Sequence, residues 1–351
     1  MRFPQFNDQW KFATISEVCK TSTGSMNTQD KIEGGAYPFY VRSSTIERAN
    51  KYTYDGIAIL TPGDGAIGKV FHYSEGKIAV HQRVYILSDI TIGTKYLFYY
   101  FADKFYNRVI RMSAKNTVDS VRMNMITDMP ISLPSLAEQE KIAGFLSLID
   151  ERIESCSETI KERKAQKSCL RTLILNRMTV RWIKLKQAVE QGIINLKRGE
   201  VIPKQSQSSE NIYPVYSSSV QNKGLMGFHN SYMFDKELIS WSIDGGGHLF
   251  YRPRHKFNVT NVCGVLETSC FDYVFLCEVL KEQHRKLLFD YQNKAHPSVI
   301  QELYQVPMLE ISEQRYYGKL FRLLDERIEV EEELLEQYER QKRYLLKQMF
   351  I

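Results

Sequence analysis

Few residues of this 351-residue chain have the types and spacing that could do chemistry. Gly63-Asp64-Gly65-Ala66-Ile67-Gly68-Lys69-Val70 has the GxxxxGK spacing of a loop that cradles phosphates with backbone N–H groups and a lysine. Val70 stands where a hydroxyl would hold magnesium, and no apolar strand ending in Asp follows. The stretch that answers it later in the chain, Asp244-Gly245-Gly246-Gly247-His248, lacks the pattern. A glycine-rich turn between two strands explains both. His72 and His81, like His248 and His255, fall outside HxxxH or HExxH spacing, so no zinc hydrolase set is present. Cys19, Cys156, Cys169, Cys263, Cys270 and Cys277 form no CxxC pair and read as buried thiols of a reducing compartment. There is no GxSxG elbow, no Asn/Asp-Pro-Pro-aromatic run and no glycine-rich dinucleotide fingerprint. The sequence therefore points to binding rather than catalysis.

The polar clusters suggest what is bound. Arg42-Ser43-Ser44, His81-Gln82-Arg83, Lys115-Asn116-Thr117, Asn222-Lys223 and Asn293-Lys294-Ala295-His296 mix base-reading and phosphate-holding side chains. Arg, Asn and Gln read base edges bidentately, and Lys and Ser hold phosphates. A solvated loop is the plain alternative for any one cluster. Their pairing across two halves of the chain favours nucleic acid.

Those halves are visible as an internal repeat. Glu138-Gln139, Asp150-Glu151-Arg152-Ile153-Glu154 and Gln166-Lys167 recur at one offset, 175 residues, as Glu313-Gln314, Asp325-Glu326-Arg327-Ile328-Glu329 and Gln341-Lys342. Upstream the repeat is fainter. Tyr37-Pro38-Phe39-Tyr40 answers Tyr213-Pro214-Val215-Tyr216, each with serines after it, and Trp10 and Trp182 open the halves. Each unit ends in a segment with 3–4 apolar spacing: Phe145, Ile149, Ile153, Cys156 and Ile160, and Leu320, Leu324, Ile328 and Leu335. Both read as helices of about 40 residues, roughly 60 Å long. Ser135 with Glu138 makes a capping box, and Ser312 is the candidate cap of the second helix. One apolar stripe of that length needs a partner, and the other copy, laid antiparallel, supplies it. Arg163, Lys167, Glu331 and Lys342 interrupt the stripe, to set register, to leave room for helices from another protein, or as stems reaching past the seam to water.

The parts before the helices read as mixed α/β. Strands are expected at Gly56–Leu60, Val80–Leu87, Leu238–Ser242 and Cys263–Leu266, and helices at Tyr96–Arg111 and Asp272–Phe289. The expected domains are 1–134, 135–180, 181–308 and 309–351. Hydrophobic residues make up 43% and charged residues 25%, which excludes a disordered or collagenous chain. The net charge of +6 resides in 1–134 and 181–308, while 309–351 is acidic. No apolar run is long enough to span a membrane and no signal-peptide core opens the chain, so a cytoplasmic protein is expected.

The run Leu133-Pro134-Ser135-Leu136-Ala137-Glu138-Gln139-Glu140-Lys141-Ile142-Ala143, leading to Leu148-Ile149-Asp150-Glu151-Arg152-Ile153, resembles the central conserved helix of specificity subunits of type I restriction–modification systems. The run from Leu309 through Arg327-Ile328 resembles their distal conserved helix, although Ile311-Ser312-Glu313-Gln314-Arg315-Tyr316-Tyr317 departs from the usual Pro-x-x-x-Glu-Gln-x-x-Ile lead. The resemblance covers nearly the whole chain. It implies two mixed α/β target recognition domains separated by two long antiparallel helices, in a chain without catalytic activity of its own. It also implies a bipartite double-stranded DNA target, two docked modification (methyltransferase) subunits, and restriction/translocase subunits in the same complex. No cofactor is implied in this chain; S-adenosylmethionine, ATP and Mg are expected on the partners. The DNA-contact candidates are Arg42, Ser43, Ser44, Lys69, Gln82, Arg83, Lys115 and Asn116 in the first domain. In the second they are Ser217, Ser218, Asn222, Lys223, His248, Asn261, Lys294 and His296. The alternatives are a coiled-coil interaction scaffold without DNA binding, a stand-alone methyltransferase or nuclease, and a DNA-binding regulator.

Overall fold

A computed structural model of the chain describes residues 2–112, 120–202, 211–244, 246–289 and 292–350. It divides into two units, residues 1–157 with 334–351 and residues 158–333. In the first unit the order is β1 (Lys11–Thr14), α1 (Ile15–Val18), β2 (Lys20–Thr23), β3 (Tyr37–Tyr40), β4 (Ile46–Ala49), β5 (Tyr54–Asp55), β6 (Ala58–Pro62), β7 (His72–Ser74), β8 (Lys77–Val80), β9 (Val84–Ser88), α2 (Thr94–Met112), α3 (Met123–Thr127), β10 (Pro130–Leu133) and α4 (Leu136–Arg177). Helix α4 gives its residues to Ser157 to this unit and the rest to the second. The second unit continues with β11 (Trp182–Lys184), α5 (Leu185–Glu190), β12 (Ile194–Arg198), β13 (Tyr213–Tyr216), β14 (Leu225–His229), β15 (Phe234–Ser242), β16 (Leu249–Val259), β17 (Cys263–Thr268), α6 (Tyr273–His284), α7 (Pro297–Leu303), β18 (Gln305–Pro307) and α8 (Ile311–Met349). The class is mixed α/β.

The first unit has four-stranded sheets ordered β2-β9-β6-β7 and β4-β3-β8-β5; the second has one six-stranded sheet, β12-β17-β15-β16-β13-β14. Among the described residues one pair of strands in each unit, β3 with β8 or β13 with β16, runs parallel amid antiparallel pairs. Strand β6, Ala-Ile-Leu-Thr-Pro, is buried along its length, its one hydroxyl, on Thr61, donating to the Val70 carbonyl at 3.2 Å. Ile59 and Leu87 pack there beneath Tyr96, Leu97, Phe101 and Phe105 of α2, and Ile142, Leu146 and Ile149 of α4 close the same core. Ile239, Trp241 and Leu266 with Leu276 and Leu280 of α6 make the matching core of the second unit.

The repeat holds in register. Ile59 faces Leu87 as Ile239 faces Leu266, and Ala13 faces Ile131 as Ile183 faces Val306. Gly24 and Gly199 lie so close to the main chain that an added Cβ would stand 2.2 Å from the Val80 or Val259 carbonyl oxygen. No side chain fits at either place. Gln139 accepts from the Gly93 N–H at 2.9 Å and donates to the Pro134 carbonyl at 2.9 Å. Gln314 does the same with Asp272 at 3.0 Å and Leu309 at 2.8 Å. The repeated glutamines thus clip each long helix to its globular part.

Several expectations are corrected. Val80–Leu87 is two strands, because His81–Arg83 turn the chain and the Val84 N–H bonds the His81 carbonyl. Trp10 and Trp182 are not equivalent: Trp182 opposes Pro307 on β11, the place Phe12 holds against Ser132. Ser135 accepts from the Glu138 N–H at 3.4 Å, but the Glu138 carboxylate turns to Arg2 and Trp10 instead of closing a capping box. Ser312 lies inside α8, where the Glu310 carbonyl accepts from Glu313 and Gln314. Cys169 and Cys270 are exposed, while the other four thiols are buried; all six are free.

In the first unit Ile149 and Ile153 of α4 share a core with Leu345, Leu346 and Met349 of α8. In the second, Arg163 and Lys164 of α4 pair with Glu331 and Glu332 of α8 at 3.3 and 2.6 Å, and Lys167 meets Asp325 at 2.6 Å. Moving up α4 moves down α8, so the pair is antiparallel. In the first unit Lys342 reaches Asp150 at 2.5 Å. The polar stripe positions therefore pair with opposite charges across the seam, which fixes its register.

Candidate nucleic-acid interface

In the first unit three loops leave the C-terminal ends of β3, β6 and β8 together. Arg42, one residue beyond Val41 after β3, lies 3.4 Å from Asp64, which follows β6. The Gly63 N–H donates to the Arg83 carbonyl at 2.7 Å, tying the glycine-rich turn to the turn after β8. Gly65 has φ 71°, a left-handed conformation that glycine adopts freely. Gly63–Val70 then runs into β7 rather than a helix, so it lacks the helix N-terminus a phosphate loop uses. Gln82 donates to Asn27 at 2.7 Å, and Thr28 lies 3.3 Å from His81. Arg42, Ser43, Ser44, Lys69, Gln82 and Arg83 are all exposed around this edge. A cleft of about 280 Å³ opens between Thr28, Arg42, Ser43 and Asp64.

The electrostatics suit a reader of bases. Burial, with the Arg42 and Arg83 charges, holds His81 below the ordinary imidazole value, so the ring is neutral near pH 7. Asp64 Oδ1 is shielded and has no hydrogen-bond partner among the described residues. Asn27, Thr28 and Asp64 escaped the sequence reading because they sit outside the basic runs. Lys115 and Asn116 lie outside the described residues.

The second unit places different residues on the same scaffold. Thr260-Asn261-Val262 replaces His81-Gln82-Arg83, for the Ile243 N–H bonds the Val262 carbonyl as Gly63 bonds Arg83. The Asn261 carbonyl accepts from Arg198 at 3.1 and 2.7 Å. Ser217 accepts from Thr260 at 3.2 Å, with Ser218 next to it, and Lys294 pairs with Asp244 at 2.9 Å. These candidates share one edge. His296 is spent on capping α7, the exposed His248 stands 5.7 Å from the His284 ring, and Lys223 pairs with Glu329 of α8. The Ala295 N–H bonds the Ile243 carbonyl as the Val121 N–H bonds Gly63, so exposed Arg122, the N-terminal flank of α3, is the counterpart of His296. Aligning the repeat at this point would have found it.

Asn222 and Lys223 have φ of 49° and 50°, followed by Gly224 at 85°. Two non-glycine residues in this region cost about 1–2 kcal/mol each. Arg252 holds the turn: it donates to the Lys223 carbonyl at 2.7 Å and to Ser240 at 2.9 Å, with its guanidinium 3.6 Å over Tyr216. Burial lowers its pKa to about 10, which keeps it charged at neutral pH. Sequence reading missed Arg252 because its partners lie 12 to 36 residues away and no periodic pattern marks it.

Among the described residues no helix is long and apolar enough to cross a membrane, and no group of three or more His, Cys, Asp or Glu could hold a metal ion. A family model described as the type I restriction modification DNA specificity domain matches twice, over residues 7–163 and 190–340. The chain is 28% identical over 153 residues to the type I restriction enzyme EcoDI specificity subunit of Escherichia coli, covering 44% of this chain and 34% of that one. It is 32% identical over 168 residues to a putative type I specificity subunit of Mycoplasma pneumoniae, covering 44% of this chain and 54% of that one. It thus spans from a third to just over half the length of these two curated relatives. The crystal structure of a type I restriction-modification S subunit from M. genitalium superposes with TM-score 0.69 at 19% identity, over 99% of this chain and 97% of that one. A chain from a structural study of complex assembly in the type I R-M system superposes with TM-score 0.55 at 12% identity, over 99% and 98%. At these identities the likeness to both structures is one of fold.

Proposed function

This chain belongs to the type I restriction–modification DNA specificity family, and on that premise we propose that it is the subunit that selects the DNA sequence, without catalysis of its own. Each globular half reads one part of a split double-stranded target. The observation that carries this reading is the repeated edge with unlike residues: His81-Gln82-Arg83 and Thr260-Asn261-Val262 stand at the same place on the same scaffold. One scaffold read twice with different side chains is what two different half-sites require. Arg42, Gln82, Arg83, Asn222 and Asn261 read base edges; Ser43, Ser44, Lys69, Ser217, Ser218 and Lys294 hold phosphates.

Helices α4 and α8 serve as the spacer and carry two modification subunits, which bring S-adenosylmethionine and methylate adenine. Leu148 and Leu323, 175 residues apart in equivalent positions, remain 60% and 49% exposed. A pair of equivalent apolar anchors suits a partner bound twice. Restriction subunits that use ATP and Mg join the same complex, in the cytoplasm. The test is co-expression with the modification subunit encoded beside this chain, followed by genome-wide mapping of methylated adenines. Two short specified sequences around an unspecified spacer are expected. A continuous motif would contradict the split target, and absence of any complex would leave a coiled-coil scaffold.

A further inference from the structure

The two halves share a surface cluster that the reading edges do not use. In the first, Tyr37 and Tyr52 meet edge to face with ring centroids 5.2 Å apart, and the Lys77 ammonium lies 4.9 Å from the Tyr52 ring centroid. In the second, Tyr213 and Tyr232 are 5.1 Å apart, and Lys256 lies 4.7 Å from the Tyr232 centroid. The positions are equivalent: Thr53, next to Tyr52, bonds the Ile78 carbonyl, as Met233, next to Tyr232, bonds Phe257. Tyr52 and Tyr232 are 45% and 44% exposed, and both lysines are exposed.

Ring packing alone would be served by phenylalanine and would need no lysine. Among the described residues the Lys77 and Lys256 ammonium groups contact the Tyr52 and Tyr232 rings and form no ion pair, and none of the four phenol hydroxyls has a hydrogen-bond partner. A cation over an aromatic face keeps its N–H donors free. Each cluster therefore offers a fixed positive charge and two hydroxyls to an outside acceptor. Tyr37 and Lys77 open β3 and β8, the strands whose other ends release Arg42 and His81. Four residues of strand put roughly 13 Å between the two ends. The reading edges differ between the halves, whereas these clusters are alike, as contact with two copies of one partner demands.

We infer that each Tyr–Tyr–Lys cluster is a docking point for an acidic surface patch of one modification subunit. The inference rests on the reading that two such subunits bind this chain. The test uses the full chain purified with the modification subunit encoded beside it, as wild type, Lys77→Glu, Lys256→Glu and the double reversal. Lys77→Gln and Lys256→Gln keep a polar stem over the ring and remove only the charge. Native mass spectrometry over a dilution series counts bound subunits, and melting curves check the fold. Two bound subunits are expected for wild type. Each reversal should weaken one binding step by about tenfold or more, the double both steps, with the glutamine variants between. Unchanged binding by the double reversal overturns the inference while leaving the two-subunit reading intact. So does a loss confined to DNA affinity, or a weakening that only follows a lowered melting temperature. A wild-type chain that holds no modification subunit removes the underlying reading itself.

Discussion

The seam between the long helices is built twice with different chemistry. In the second unit Lys167 of α4 bonds Asp325 of α8 at 2.6 Å and Glu278 of α6 at 2.9 Å, and Arg171 adds Glu278 and Glu282 at 3.0 and 3.1 Å. In the first unit Lys342 bonds Asp150 at 2.5 Å, but the place of Glu278 is taken by Tyr99, whose hydroxyl donates to Asp150 at 2.7 Å. Where Arg171 would stand is Leu346, and Phe350 packs on Tyr96 and Tyr100 with centroids 5.6 and 5.4 Å away. The aspartate and lysine kept in both repeats are the two that must meet across the helices. Everything around them was free to become ionic on one side and aromatic on the other. The comparison teaches that the repeated motif specifies register, while each globular half is attached by its own means.

The largest expected difference comes from the lysines. Glu278 is buried and Lys167 is one of its three cationic partners, beside Arg171 and Lys281, so Lys167→Met removes charge-assisted hydrogen bonds to Glu278 and Asp325 and should cost about 1.5–3 kcal/mol. Lys342→Met breaks a partly exposed pair and should cost about 1 kcal/mol or less. Urea unfolding followed by tryptophan fluorescence and circular dichroism measures both. Equal losses would mean that the ionic and aromatic seams are energetically alike.

Acid should separate the seams next. Burial alone would raise the Glu278 pKa, but Lys281 and Lys167 hold it down to about 2. A carboxylate with a lowered folded value stabilises above its unfolded value, near 4.3, and loses that contribution as pH falls toward 2. The second unit should therefore weaken across that window, and Glu278→Gln should flatten its pH dependence. The first unit, with a phenol at that position, should show no matching loss. Melting curves from pH 6 to pH 2 check the sign. Tyr99→Phe removes one hydrogen bond to Asp150 and should, like Lys342→Met, cost no more than about 1 kcal/mol in the same unfolding assay.

What the sequence made legible follows from the range of each interaction. Helices α4 and α8 were readable because their apolar 3–4 spacing is local and the Asp150–Glu154 and Asp325–Glu329 runs are identical. Tyr37-Pro38 and Tyr213-Pro214 located the equivalent strands. The ionic seam was not readable: α6 looks apolar, and Glu278 and Glu282 find their partners in Lys167 and Arg171 more than 100 residues away. The tyrosine–lysine clusters were hidden by loop insertions that shift the repeat offset between Tyr37, Tyr52 and Lys77. At the candidate edge, basic and amide residues were legible by type, but not the neighbours that orient them, such as Asp64, Arg198 and Arg252. Those come together only where strand ends converge.

The central claim is that two repeat-related edges read separate parts of one target. Mapping methylated adenines in cells that carry the partner modification subunit, with wild type or with Gln82→Ala plus Arg83→Ala, tests it most directly. The account predicts that the double substitution relaxes one half of the motif and leaves the other half and the spacer unchanged. An unaltered motif, or equal loss of both halves, would contradict it.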